Sequence, residues 1–329
     1  MRTFALNLRA FSISFAAALL TSCGGSQPPI GAPGAMPQTA AIAKDNGNLF
    51  VDDYGKGAVE IVTNGGAAPS LEGQLEAPGW NNIGTIVEAL SNQPASNWVD
   101  KRGNLYVPDY NMGQIQVTEY TPSGSWKFTY SSNMEFPHAV TTDANGDVFE
   151  ADGFNGVNEY HQRSNTVAAT CPQLGGGQRG VAVDAKGDVF TGYATSSTKG
   201  AVVEYSGGLA GCAQTVLGVS LGVPGGIVLD KSANLVVCDE SNGTVDIIDP
   251  PYTRISGHLG KDYGPPPLRF EMPVAVSINK NNTLAYVTDW AEQKVDVVTY
   301  PAGAPFAQVG RGNGLSYPTG AVDASNYVP

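Results

Sequence analysis

Only 3 histidines occur in the chain, and one of them falls in a recurring frame. A phrase built around two acids repeats six times: AIAKDNGNLFVDD, SNWVDKRGNLYVPD, AVTTDANGDVFEAD, GVAVDAKGDVFTGY, GIVLDKSANLVVCD and AVSINKNNTLAYVTD. Five residues before the first acid the copies carry Ala40, Ala95, His138, Arg179, Gly225 and Val274. His138 and Arg179 are the polar members of that set and come from consecutive copies. If copies pack side by side, an imidazole and a guanidinium meet. Together they can bind a small anion, or the imidazole can move a proton for a bound molecule. They can equally hydrogen-bond backbone at a rim, which is a structural use only.

The acids of the phrase come next. The first position is Asp45, Asp100, Asp143, Asp184, Asp230 and Asn279; the second is Asp53, Asp109, Asp152, Tyr193, Asp239 and Asp289. Calcium takes six to eight clustered oxygens, which single carboxylates at regular intervals do not supply. An Asp followed by Gly-Asn or Gly-Asp is turn chemistry, the carboxylate accepting backbone N–H groups and the Gly supplying positive φ. No metal site is predicted and no cofactor is called for. A divalent cation such as calcium in a central channel is the one addition the fold admits. His161 and His258 fall in turns or loops and read as solvated. Besides Cys23 there are Cys171, Cys212 and Cys238, with no CxxC pair, which argues against a zinc knuckle. Outside the cytoplasm two of the three can pair. Cys171 and Cys212 lie in the last quarter of consecutive repeats, so a bridge between them is geometrically allowed. Cys238, inside LVVCD, reads as a small buried apolar residue.

These residues need a scaffold that sets consecutive copies next to one another. The second acids recur at intervals of 41 to 56 residues, against the 40–45 of a four-stranded propeller blade. Runs such as VAV, IVL, LFV and LVV are apolar on both faces, as strands sandwiched between neighbouring blades must be. Four residues before the first acid stand Ala41, Ser96, Ala139, Gly180, Gly226 and Ala275, all small, where strands converge on an axis. A third strand of the form GxVxEY follows, and its pairs Glu119-Tyr120, Glu159-Tyr160 and Glu204-Tyr205 need only a structural explanation. Outer strands are predicted in SWKFTYS, NTVAATC, CAQTVLG and FAQVG. The chain ends with YPTGAVDAS, the opening of another copy. The fold predicted is therefore all-β: a six-bladed β-propeller with four-stranded antiparallel blades over residues 38–325. The ring is closed by the C-terminal segment, residues 315–325 pairing with the blade near residues 40–62. Two stretches interrupt the repeat. Residues 63–94 hold NNIGTIVEALSNQ as a short helix or strand, and residues 249–271 form a Pro-rich surface connection.

The start of the chain points to a compartment. Residues 1–22 carry Arg2 and Arg9, then FSISFAAALL, then TS, the layout of a secretory signal. The apolar run is too short to span a bilayer. Leu20-Thr21-Ser22-Cys23 resembles the bacterial lipobox, which implies lipidation of Cys23 and an extracytoplasmic protein held on a bacterial membrane in the cell envelope. Residues 23–37, rich in Gly, Pro and Ser, read as a flexible tether. The net charge is −12, and removing residues 1–22 makes it more negative. Such a surface repels nucleic acid.

AVTTDANGDVFEADGFNGVNEY resembles the repeats of the NHL family and of the wider group of six-bladed propellers that includes TolB-like, regucalcin/gluconolactonase (SMP-30) and streptogramin-lyase-like proteins. The resemblance implies the fold and leaves function open, because such propellers serve enzymes and binding scaffolds alike. In the gluconolactonase kind a divalent ion at the channel mouth is held by Glu, Asn and Asp. Glu76-Ala77-Pro78-Gly79-Trp80 looks similar to the motif that supplies the Glu, with Ala in place of Gly. The His-x-Glu pair of the lyases is absent, the three histidines standing in HAV, HQR and HLG. The residues favour a lipid-anchored, monomeric binding or interaction module for a protein or small molecule, not nucleic acid. Its surface would be the channel mouth around His138 and Arg179. The alternative is a divalent-metal-dependent hydrolase of a small ester or lactone.

Overall fold

The computed structural model describes residues 49–64, 80–87, 96–111, 114–122, 124–259 and 269–323. The leader, Cys23, the tether, Ala40, Ala41, Asp45, Glu76 and Ala95 lie outside the described residues. The first blade in chain order contains β1 (Leu49–Asp53), β2 (Ala58–Asn64) and β3 (Trp80–Val87). The second is β4 (Trp98–Val99), β5 (Leu105–Asn111), β6 (Gln114–Tyr120) and β7 (Trp126–Tyr130). The third is β8 (Pro137–Thr142), β9 (Val148–Asp152), β10 (Gly156–Tyr160) and β11 (Val167–Cys171). The fourth is β12 (Gln178–Val183), β13 (Val189–Ala194), β14 (Gly200–Tyr205) and β15 (Gln214–Val216). The fifth is β16 (Pro224–Leu229), β17 (Leu235–Asp239), β18 (Thr244–Ile248) and β19 (Ile255–His258). The sixth is β20 (Pro273–Ile278), β21 (Leu284–Asp289), β22 (Lys294–Thr299) and β23 (Pro305–Val309), and β24 (Pro318–Asp323) ends the series. Every sheet is a four-stranded antiparallel meander, and β24 completes the first blade in the order β24-β1-β2-β3.

The doubly apolar second strands show why the sheets stack face to face. In β17, Leu235 and Val237 enter one core cluster with Phe190, Val202 and Ile227 of the fourth and fifth blades. Val236 and Cys238 enter the next, with Val276, Ala285 and Val287 of the sixth. A strand buried on both faces cannot alternate apolar and polar, and all five residues of β17 are buried.

Backbone crowding explains the small residues at the hub. A Cβ on Gly180 would lie 2.4 Å from the Gly225 carbonyl oxygen, and one on Gly226 2.8 Å from the Ala275 Cα. One on Gly320 would lie 2.9 Å from the Ser96 Cα. Ser96 bridges Ala139, and the Ser277 hydroxyl donates to the Ala321 carbonyl at 2.6 Å. The inner strands thus follow one another around the axis and return to the start.

The acids do what turn chemistry requires. Asp143 Oδ1 accepts the N–H groups of Asn145, Gly146 and Asp147 at 2.8–2.9 Å. The second acid staples two segments. Asp152 accepts from Glu135 and Phe136, which lead into β8, and from Phe154 and Asn155 in its own turn, at 2.6–2.9 Å. Asp53 does the same for the closing strand, accepting from Ser316 and Tyr317 at 2.7 and 2.8 Å. Glu119, fully buried, is clamped by Arg163 of the next blade at 3.0 Å. Cys171 is disulfide-bonded to Cys212 of the following blade, and Cys238 is a free, buried thiol.

The structure makes some expectations definite and corrects others. The inner strand of the first blade is β24, with Gly320 at the hub and Thr319 at the mouth; the calls on Ala40 and Ala41 lie outside the described residues. Of the two readings given for NNIGTIV, a short helix or a strand, the strand holds: it belongs to β3, the outer strand of that blade. The stretch 249–271 is more than a connection: it supplies β19, the outer strand of the fifth blade. His258 is accordingly not solvated in a loop; it sits in β19, half-buried, with Nδ1 2.5 Å from Asp246 Oδ1.

Candidate functional site

The inner strands β8, β12, β20 and β24 begin at the same end of the ring, and the residue just inside each start faces the channel mouth. His138 on β8, Arg179 on β12, Val274 on β20 and Thr319 on β24 occupy this place and line one cavity of about 200 Å³. The structure therefore brings His138 and Arg179 to one site, as the repeat frame predicts.

Sequence reasoning missed the second layer. In three blades the residue following the second acid also reaches the mouth: Tyr110, Glu240 and Trp290. Each sits one residue beyond Asp109, Asp239 or Asp289, a position whose residue type varies from copy to copy and so gives no signal by itself. Met272, three residues before the hub residue Ala275, adds a thioether from the loop entering β20.

Glu240 changes the chemistry. Its Oε2 accepts from Arg179 Nη1 at 2.6 Å across the junction of the fourth and fifth blades. Gly225 makes this reach available, since a Cβ there would lie 2.9 Å from Glu240 Oε1. Burial pushes the Glu240 carboxyl upward and the adjacent guanidinium pulls it back down. Held at this distance, the two groups make a charge-assisted pair, and Arg179 is already neutralised before any ligand arrives.

His138 is held neutral. Burial, reinforced by the Arg179 charge and opposed by Asp152, lowers it from 6.5 to about 4. Its ring meets Phe136 edge-on, centroids 4.6 Å apart. Gly153 leaves room for both, because a Cβ there would lie 2.9 Å from Phe136 Cδ1 and 3.2 Å from His138 Cδ2. Tyr110 packs on Phe136 at 4.2 Å and Phe136 on Phe154 at 5.6 Å, which forms an aromatic bank on one side of the mouth. Trp290 and Tyr317 form a second bank, with Arg311 over the Tyr317 ring. Phe154 and Trp290 remain exposed, at 56% and 43%.

The mouth offers little for a metal. Among the described residues its carboxylate is Glu240, already engaged by Arg179, and Glu76 lies outside those residues. The described residues whose ligand atoms gather within 4.8 Å are Asp147, Glu159 and His161. They sit at the other end of the third blade, where the exposed His161 lies 3.5 Å from Asp147. The arrangement does not favour the metal-dependent hydrolase.

No protein-family model matches the chain, and no curated protein matches it. Among solved structures the chain is similar to one from a nidogen/laminin complex, with 14% identity and a TM-score of 0.63, covering 84% of this chain and 97% of that one. It is also similar to a protein of unknown function from Bacteroides caccae, with 12% identity, a TM-score of 0.61 and the same coverage. At these identities the likeness is one of fold, and it supports the six-bladed ring.

Proposed function

We propose that the chain is a binding module that takes its ligand at the channel mouth and is displayed outside the cytoplasm by a lipid on Cys23. The observation that carries this reading is the cavity itself. Its floor is polar and partly desolvated, its walls are aromatic, and its rim exposes Trp290 and Phe154. Concave sites with a few convergent polar groups among apolar walls are where ligands bind, and large exposed aromatics grouped at one opening mark contact surfaces. The similar chain from the nidogen/laminin complex belongs to a protein assembly, which supports binding as a use of the fold and bears on no residue here. The acidic surface turns away nucleic acid, and the chain works as a monomer, each ring carrying its own mouth.

Ligand-observed NMR with a mixed library of sugars, amino acids, short peptides and small acids tests this. Val274→Phe fills the cavity without touching the ion pair. Hits on the full-length chain that vanish in this variant support the mouth as the site. Hits unchanged by Val274→Phe, or no hits, contradict it.

A further inference from the structure

The charge balance and shape of the cavity narrow the ligand class. At about 200 Å³ the cavity lies below the roughly 300–1,000 Å³ of sites for drug-sized molecules, so it admits one small ring or side chain. A free anion is poorly served, because the guanidinium it would seek is already paired with Glu240 at 2.6 Å. A cation meets the same difficulty from the other side. An apolar group would cover the Arg179–Glu240 pair, the His138 ring and the Ser96 hydroxyl, and would offer them no hydrogen bonds in exchange for water.

What fits is a neutral molecule with several groups that both donate and accept. A guanidinium beside a carboxylate presents a donor edge and an acceptor oxygen next to each other, matched to two adjacent hydroxyls. Hydrogen bonds to ionised groups are the stronger kind. The walls ask for the opposite character. Tyr110 and Trp290 present flat, amphipathic rings, and Met272 an adaptable apolar arm. A pyranose has both aspects, a hydroxyl-bearing edge and a face of C–H groups.

Accepting that the mouth is the ligand site, we propose that its occupant is a single uncharged sugar ring, bound with hydroxyls on the Arg179–Glu240 pair and its C–H face on Trp290 or Tyr110. The ring is either a free monosaccharide or the terminal residue of a glycan; the chemistry is the same.

The test titrates the full-length chain with methyl glycosides of neutral hexoses, N-acetylhexosamines, the matching uronic acids and neutral tripeptides, followed by Trp fluorescence and saturation-transfer NMR. A surface glycan array with the same terminal residues separates the two sources. The expected result is saturable binding of a neutral sugar, about tenfold or more tighter than its uronate. Trp290→Ala weakens it about tenfold. Glu240→Gln frees the Arg179 charge and shifts preference toward the uronate, a change that simple loss of packing would not give. Binding of tripeptides or uronates by the unaltered chain in place of neutral sugars overturns the sugar and leaves the mouth as the site. Sugar binding that persists undiminished in Val274→Phe overturns the location. No binding of any sugar at millimolar concentration overturns the proposal.

Discussion

A guanidinium 2.6 Å from a carboxylate and an imidazole kept neutral beside them define the mouth at the scale of single residues. Burial is the main cause that lowers His138 to about 4, with the Arg179 charge adding to it. The folded value lies below the ordinary one, so the unfolded chain takes up this proton first as pH falls. The contribution of His138 to stability is whole above about pH 6.5 and is lost progressively between there and about pH 4. Imidazole NMR signals followed across this range should place the His138 midpoint near 4. His138→Asn should flatten that part of the stability profile; a midpoint at the ordinary value would mean a wet, open floor. His138 and Arg179 were legible because they occupy one register of a repeat. Glu240 was not, because the residue after the second acid varies through Tyr110, Gly153, Ala194, Glu240 and Trp290, and only the ring geometry makes these neighbours.

At the scale of elements, the second acid matters more than its turn suggests. Asp152 is fully buried and holds four backbone N–H groups from two segments. Asp152→Ala removes the shared acceptor of four part-buried N–H groups, and urea denaturation should show a loss of about 2–4 kcal/mol. Asp143→Ala, in a half-exposed turn, should cost only about 1 kcal/mol. The fourth blade shows the alternative. Tyr193 replaces the acid there, and the entry loop closes by backbone contact instead, Gly176 N–H donating to the Ala194 carbonyl at 2.6 Å. Gly175 and Gly177 take positive φ in that loop. The strands were legible wherever apolar runs met Asp-Gly turns. β19 was hidden because ISGH carries no strand period. Its place is set by tertiary pairing, His258 opposite Asp246 and Ile255 opposite Ile248.

For the whole molecule, closure is the governing fact. The last strand, β24, supplies the inner edge of the first blade, and Asp53 ties the two ends of the described ring together. The sequence showed this closure through YPTGAVDAS, a copy with only its opening present. It did not show that Gly320 of this opening holds the hub place of the first blade. Between the third and fourth blades the Cys171–Cys212 bridge closes a loop with a sequence separation of 41. On chain-entropy grounds its removal should cost about 4 kcal/mol. Thermal unfolding of the Cys171→Ser, Cys212→Ser double variant measures it, and an unchanged midpoint would mean that the blades are held by packing alone.

The claim on which the functional account depends is that the axial mouth receives the ligand. Crystals of the chain soaked in a mixed cocktail of small sugars and fragments test it most directly. Density is expected over the Arg179–Glu240 pair, between Tyr110 and Trp290, and none there in Val274→Phe. Fragments gathered elsewhere on the ring, with the mouth empty and Glu240 turned away from Arg179, would contradict it.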